Sequence, residues 1–98
     1  MADLTVVAVI VAQPGKEAVV RDALVALVPP TLQEEGCLSY ALSESAAESG
    51  TFVTVETWRS QADHEAHMGT PHVQVALAAA GAALAGPPGI HPLVPLAS

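Results

Sequence analysis

The sequence predicts an α+β domain of ferredoxin-like order, β-α-β-β-α-β, with an antiparallel sheet and its helices on one face. Three observations predict it. A β-branched run, Leu4 to Ala12 (LTVVAVIVA), opens the chain. Two later segments, Cys37 to Ser45 and Thr51 to Trp58, read as the arms of a hairpin. Apolar residues at helical spacing follow the first of these strands and the last.

The opening run shows little alternation, as expected for a strand covered on both faces. Gln13-Pro14-Gly15 breaks it. Val20, Leu24, Leu27 and Val28 then recur at i, i+4, i+7 and i+8, with Glu17 and Arg21 on the other side, which makes an amphipathic helix. Pro29 and Pro30 predict a kink or break near Val28, with Thr31 to Glu35 able to add a turn before Gly36. Cys37 to Ser45 places Leu38, Tyr40 and Leu42 on one face. Thr51 to Trp58 places Phe52, Thr54, Glu56 and Trp58 on one face and Val53, Val55 and Thr57 on the other. Which of these faces meets Tyr40 depends on a one-residue choice of register in the turn Ala46 to Gly50, and the sequence leaves it open. Ser60 and Asp63 form a capping-box-like start to a short helix ending at Gly69. Thr70 and Pro71 start a second, His72 to Ala85, stopped by Gly86-Pro87-Pro88. Ile90 to Leu96 reads as a last strand that Pro92 and Pro95 confine to an edge.

These elements make a single domain, 1–98, without a linker or internal repeat. Apolar residues are 51% of the chain and charged ones 13%, which excludes the composition of intrinsic disorder. Three Lys and Arg against ten Asp and Glu give a net charge of −7, so nucleic acid and anionic membrane surfaces are not expected partners. The mean hydropathy is +0.44. The longest apolar stretch, Val75 to Ala85, is about half of the roughly 20 residues a membrane span needs. No basic residue precedes the first apolar run, so a secretory signal is not expected, and with Cys37 alone no internal disulfide forms. A cytoplasmic location is the expectation. So much apolar surface on so short a chain predicts a homodimer, with a second sheet covering the face the helices leave bare and a shared barrel-like core.

The aromatic residues Tyr40, Phe52 and Trp58 all lie on the hairpin, and His64, His67 and His72 follow within a short stretch. Core filling and a pocket for a flat ligand are both open to the aromatics. Glu56 is the unusual member, a carboxylate between valines on the face of Phe52 and Trp58, and it needs a partner there. His64 falls in the polar run QADHEAH and is expected to be exposed. His64 and His67 share a helix face, and Asp63, Glu65 or His72 would have to complete a metal set. No complete set appears at a usual spacing, and no bound metal is expected. Glu34 and Glu35 precede Cys37 and hold its thiol inert. No phosphate loop or dinucleotide fingerprint occurs, so flavin and nicotinamide cofactors are not expected.

The series PGKE, EEGCLSY, FVTVETW and HMGTPH, in this order along nearly the whole chain, resembles the antibiotic biosynthesis monooxygenase domain, including the quinol-monooxygenase-like proteins. The resemblance implies a dimeric α+β barrel with a cavity between sheet and helices. It implies oxidation of phenolic or quinol-type aromatics by O2 with no cofactor. The family's Glu-x-Trp falls on Glu56 and Trp58, its helix histidine on His67, and its Thr-Pro-His on Thr70, Pro71 and His72. On that basis His67 is the candidate base. Trp58, Phe52 and Tyr40 are the candidate walls, Glu56 orients His67 or stays structural, and His72 sits at the rim. Haem cleavage is disfavoured, because Ala8, His67 and Leu77 stand where haem-degrading members carry Asn, Trp and His. The alternative is a non-catalytic dimer that binds a small hydrophobic molecule in the same cavity; oxygen uptake with quinols separates the two.

Overall fold

Leu4 to Val11 form β1 in the computed structural model, which describes residues 3–97. Val6, Ala8 and Ile10 point into the core. α1 (Glu17–Leu32) buries Val20, Leu24 and Leu27 against this face. The break expected near Val28 does not occur, and α1 runs through Pro29 and Pro30. The amide hydrogens these prolines lack would have met the carbonyls of Val25 and Ala26, both exposed, where water can take their place. The Thr31 hydroxyl donates to the Leu27 carbonyl at 2.8 Å and supports the same turn.

β2 (Cys37–Glu44) and β3 (Thr51–Trp58) form the expected hairpin. Tyr40 stands opposite Glu56 and Leu42 opposite Thr54, so the Tyr40 face meets the Phe52, Thr54, Glu56, Trp58 face. Leu38 does not share it. A bulge between Cys37 and Ser39 puts Cys37 opposite Trp58 and leaves Leu38 as the extra residue, 53% exposed.

α2 (Gln61–Met68) starts at Ser60, whose Oγ accepts the Asp63 amide hydrogen at 3.2 Å. α3 (Pro71–Ala80) starts at Thr70, as the sequence predicts, but ends before Ala85. A single 3₁₀ turn, Gly81–Ala83, follows, and Leu84 and Ala85 are drawn back to the end of β1 by a bridge to Ala12 and a 2.8 Å bond to the Val11 carbonyl. β4 (Gly89–Pro92) is shorter than expected, because Pro92 brings no donor to the ladder.

The sheet order is β2-β3-β1-β4, antiparallel at each pairing, which is the ferredoxin-like arrangement. The barrel expected above is not found. The sheet is open, with β2 and β4 at opposite edges, and closure would require those two to pair. β2 and β4 stand at the two ends of the order β2-β3-β1-β4, and neither edge closes on the other. The helices cover one face only. The other carries Val7, Val9 and Val53, half-buried, and Val55, 49% exposed, so β1 is not covered on both faces within this chain. Among the described residues no helix is long and apolar enough to cross a membrane.

Two apolar clusters fill the space beneath the helices. One joins Ala8, Ile10, Val20, Leu24, Phe52 and Ala80; the other joins Val6, Leu27, Tyr40, Trp58, Val73 and Ala76. Alanines at 76 and 80 let α3 lie close to the sheet while leaving room between the clusters.

Candidate functional site

Glu56 lies in the middle of β3, 4% exposed, where a bare carboxylate is costly. Both of its oxygens are met. The Thr54 hydroxyl donates to Oε2 at 2.6 Å and the Trp58 indole N–H donates to Oε1 at 2.9 Å. All three residues sit on one strand at alternate positions, so strand geometry alone brings them together.

His67 occupies the last turn of α2, 3% exposed, with its ring 4.7 Å from the Trp58 ring and 5.9 Å from that of Tyr40. Its Nδ1 lies 2.6 Å from Glu34 Oε2, and His72 Nε2 lies 2.6 Å from the same oxygen. A carboxylate only accepts, so Nδ1 of His67 carries hydrogen, and in the neutral imidazole the lone pair is then on Nε2. Glu34 reaches this position because α1 continues past its prolines and the Glu34 amide hydrogen bonds back to the Thr31 carbonyl at 3.0 Å.

A cavity of about 70 Å³ lies between the sheet and the helices. Tyr40, Thr54, Glu56, His64 and His67 form its polar end, and Ala8, Ile10, Leu24, Leu27 and Val73 are among its apolar walls. Leu77 and Ile90, 41% and 37% exposed, mark its mouth. Burial, and then the Glu56 charge, push the Tyr40 hydroxyl well above its ordinary range, so it stays protonated as a donor. Burial pulls the His64 imidazole below its ordinary range and favours its neutral form. The cavity can therefore offer two imidazoles, a phenol and a carboxylate to one end of an otherwise apolar molecule.

The structure gathers the sequence candidates unevenly. His67, Tyr40 and Glu56 line the cavity. Trp58 does not; it is fully buried behind Glu56 and His67 and holds both. Phe52, 1% exposed, packs in the other apolar cluster, where the Arg21 guanidinium lies 5.6 Å from its ring. His72 is not at the cavity rim but beyond Glu34, facing an outer groove between α1 and α3 with Pro71, Val75 and Ala79. His64 is buried rather than exposed, because α2 turns this part of its polar run toward Trp58. Burial, then Glu34 and Glu56, raise the Cys37 thiol, which keeps it inert. Glu34 is the residue sequence reasoning passed over. Its local signal is the EEG that ends the first helix, and its partners lie more than thirty positions away.

The family described as antibiotic biosynthesis monooxygenase matches residues 3–79. The chain belongs to the antibiotic biosynthesis monooxygenase family. Among solved structures of similar shape, PA3566 of Pseudomonas aeruginosa is 35% identical with a TM-score of 0.90, over 99% of this chain and 97% of its own. Rv0793 of Mycobacterium tuberculosis is 34% identical with a TM-score of 0.88, over 99% of this chain and 98% of its own. The Escherichia coli protein YgiN, named as a probable quinol monooxygenase, is 38% identical over 81 residues, 72% of this chain and 78% of that protein. Membership in the antibiotic biosynthesis monooxygenase family gives the chain an oxidoreductase kinship, and its matched residues include the whole of the polar end of the cavity.

Proposed function

We propose that this chain is a cofactor-independent monooxygenase that oxidises a small phenolic or quinol-type aromatic with O2. The observation that carries the reading is His67: buried, lining the cavity, with Nδ1 held by Glu34, which leaves Nε2 as the ring nitrogen that takes the proton when the imidazole is neutral. The naming of the relative YgiN supports the substrate class.

An electron-rich aromatic needs little from the protein. Once its hydroxyl proton passes to His67 Nε2, the anion can give an electron to O2, so a base and a dry pocket supply the catalysis. The balance closes without another reductant. A quinol with O2 gives a hydroxyquinone and water, the quinol supplying the two electrons that reduce one oxygen atom to water. Tyr40 donates a hydrogen bond to the developing anion, and Glu56, with both oxygens already engaged, anchors Trp58 behind His67. At about 70 Å³ the cavity is smaller than the roughly 150 Å³ that holds a benzene ring. The hydroxyl end enters first and the rest of the ring displaces Leu77 and Ile90 at the mouth.

The open sheet face supports assembly with a second copy, since Val7, Val9, Val53 and Val55 form an apolar surface there. Sedimentation of the 9.9 kDa chain at micromolar concentration should give twice the chain mass. The activity is tested with an oxygen electrode and a panel of quinols and naphthols on chelator-treated protein. Uptake above the spontaneous rate is expected; saturable ligand binding without uptake would instead identify a binding protein.

A further inference from the structure

Three side chains from separate parts of the chain converge behind the cavity. Glu34 follows α1, His67 is in the last turn of α2, and His72 is in the first turn of α3. One ligand atom from each, Glu34 Oε2, His67 Nδ1 and His72 Nε2, lies within 4.8 Å of the other two. We propose that they form a binding site for a zinc-class divalent cation, with water completing the coordination.

The donor set selects the ion. Two imidazoles and one carboxylate suit zinc, whereas calcium and magnesium call for shells of oxygen. The geometry is within reach. Zinc bonds of about 2.0–2.1 Å in a tetrahedron put donor atoms about 3.3 Å apart. The two N···O contacts, now 2.6 Å, must each open by about 0.7 Å. The Glu34 and His72 side chains, 15% and 21% exposed, have room for that shift and leave a side open to water. Each imidazole presents its lone pair by moving its hydrogen to the other ring nitrogen, so neither ring has to flip.

The local field favours a cation. The chain carries a net charge of −7, and its two arginines are engaged elsewhere: Arg59 pairs with Asp63 and Glu35, and Arg21 with Glu44. Spacing along the chain does not reveal this set, because its carboxylate lies 33 and 38 positions from its two histidines. The expectation of no metal rested on that spacing, and the fold supplies the missing ligand.

Neither Glu34 nor His72 lines the cavity, so the ion sits behind His67 and does not touch a bound aromatic. Its effect is on the imidazole. With the cation on Nδ1 the ring hydrogen sits on Nε2, and His67 meets the cavity as a donor instead of an acceptor. Slower quinol oxidation on metal loading follows, a consequence that rests on the proposed function.

The site is tested without substrate. The full chain, bearing no histidine tag and stripped with chelator, is titrated with Zn²⁺ by calorimetry and with Co²⁺ by visible absorption. One ion per chain is expected, with a low-coordinate Co²⁺ spectrum, and Glu34→Gln should weaken binding by about tenfold or more. His72→Phe, on the outer side of the cluster, should do the same and serves if Glu34→Gln fails to fold. No saturable one-to-one binding up to about 1 mM, or binding that both variants leave unchanged, overturns the proposal. Because binding is read directly, absence of quinol oxidation does not affect it.

Discussion

Glu34 Oε2 lies 2.6 Å from His67 Nδ1, joining the end of α1 to the last turn of α2. The contact places a hydrogen on Nδ1. Two-bond ¹⁵N–¹H correlation of the wild type should show His67 protonated at Nδ1, and Glu34→Leu should lose that preference. The same substitution leaves two imidazole N–H groups without their acceptor, one of them buried, and should cost about 1–3 kcal/mol in denaturant unfolding.

Glu56 should tolerate an amide better than an alkyl chain. In Glu56→Gln the amide oxygen can accept from the Trp58 N–H, which only donates, while the amide nitrogen donates to the Thr54 hydroxyl. Glu56→Leu leaves both donors buried and unmet, and should destabilise by about 2–5 kcal/mol, well beyond the glutamine variant. Equal losses for the two would show that the hydrogen bonds are not what holds this strand.

Gly36 is buried where a Cβ would overlap the side chain of Asp63. Asp63 cannot easily retreat, because it accepts from Arg59 Nε at 2.9 Å and from the Ser60 hydroxyl at 2.8 Å. Gly36→Ala should cost about 1–3 kcal/mol. Combined with Asp63→Ala, the loss should be less than the sum of the two single losses, as a thermodynamic cycle would read.

His64 predicts the pH dependence of stability. Burial lowers its folded-state pKa beneath the unfolded value of about 6.5, so the unfolded chain binds the proton more readily. Its contribution is full above about pH 6.5 and is lost as pH falls from there through the folded pKa. His64→Phe keeps an aromatic ring beside Trp58 and should flatten the stability profile in that window. Asp63 acts in a lower window. The bonds from Arg59 and Ser60 hold its carboxyl below the usual range, so its contribution is present above about pH 3.8 and fades as pH falls further.

Most of the fold was legible because its signals are local. Thr70 and Pro71 announce a helix start through their own side chain and ring, and the structure has α3 beginning there. The failures share a cause, which is that the deciding contact is remote or belongs to the solvent. Pro29 and Pro30 read as a break only if the carbonyls they forsake are buried, and Val25 and Ala26, whose carbonyls these are, are exposed residues. Leu38 alternates correctly with Tyr40 in the sequence, and a bulge against Trp58 removes it from that face. The barrel is not seen because β2 and β4 stay apart as the two edges of the sheet, and Glu34 was hidden by its distance in sequence from His67. The candidate site was legible in its family residues His67 and Glu56, and illegible in His64, whose polar neighbours concealed its burial.

The central claim is that His67 takes the hydroxyl proton of a bound aromatic. Its most direct test is the initial rate of oxygen consumption with the best quinol of a panel, wild type against His67→Ala, with His67→Gln as a variant that preserves more of the buried volume. The far-ultraviolet spectrum and sedimentation of each variant show that it is folded. A positioned base contributes about 10² to 10⁴ in rate, so turnover should fall by that order in both variants. Turnover within about threefold of wild type in a folded His67 variant would contradict the account.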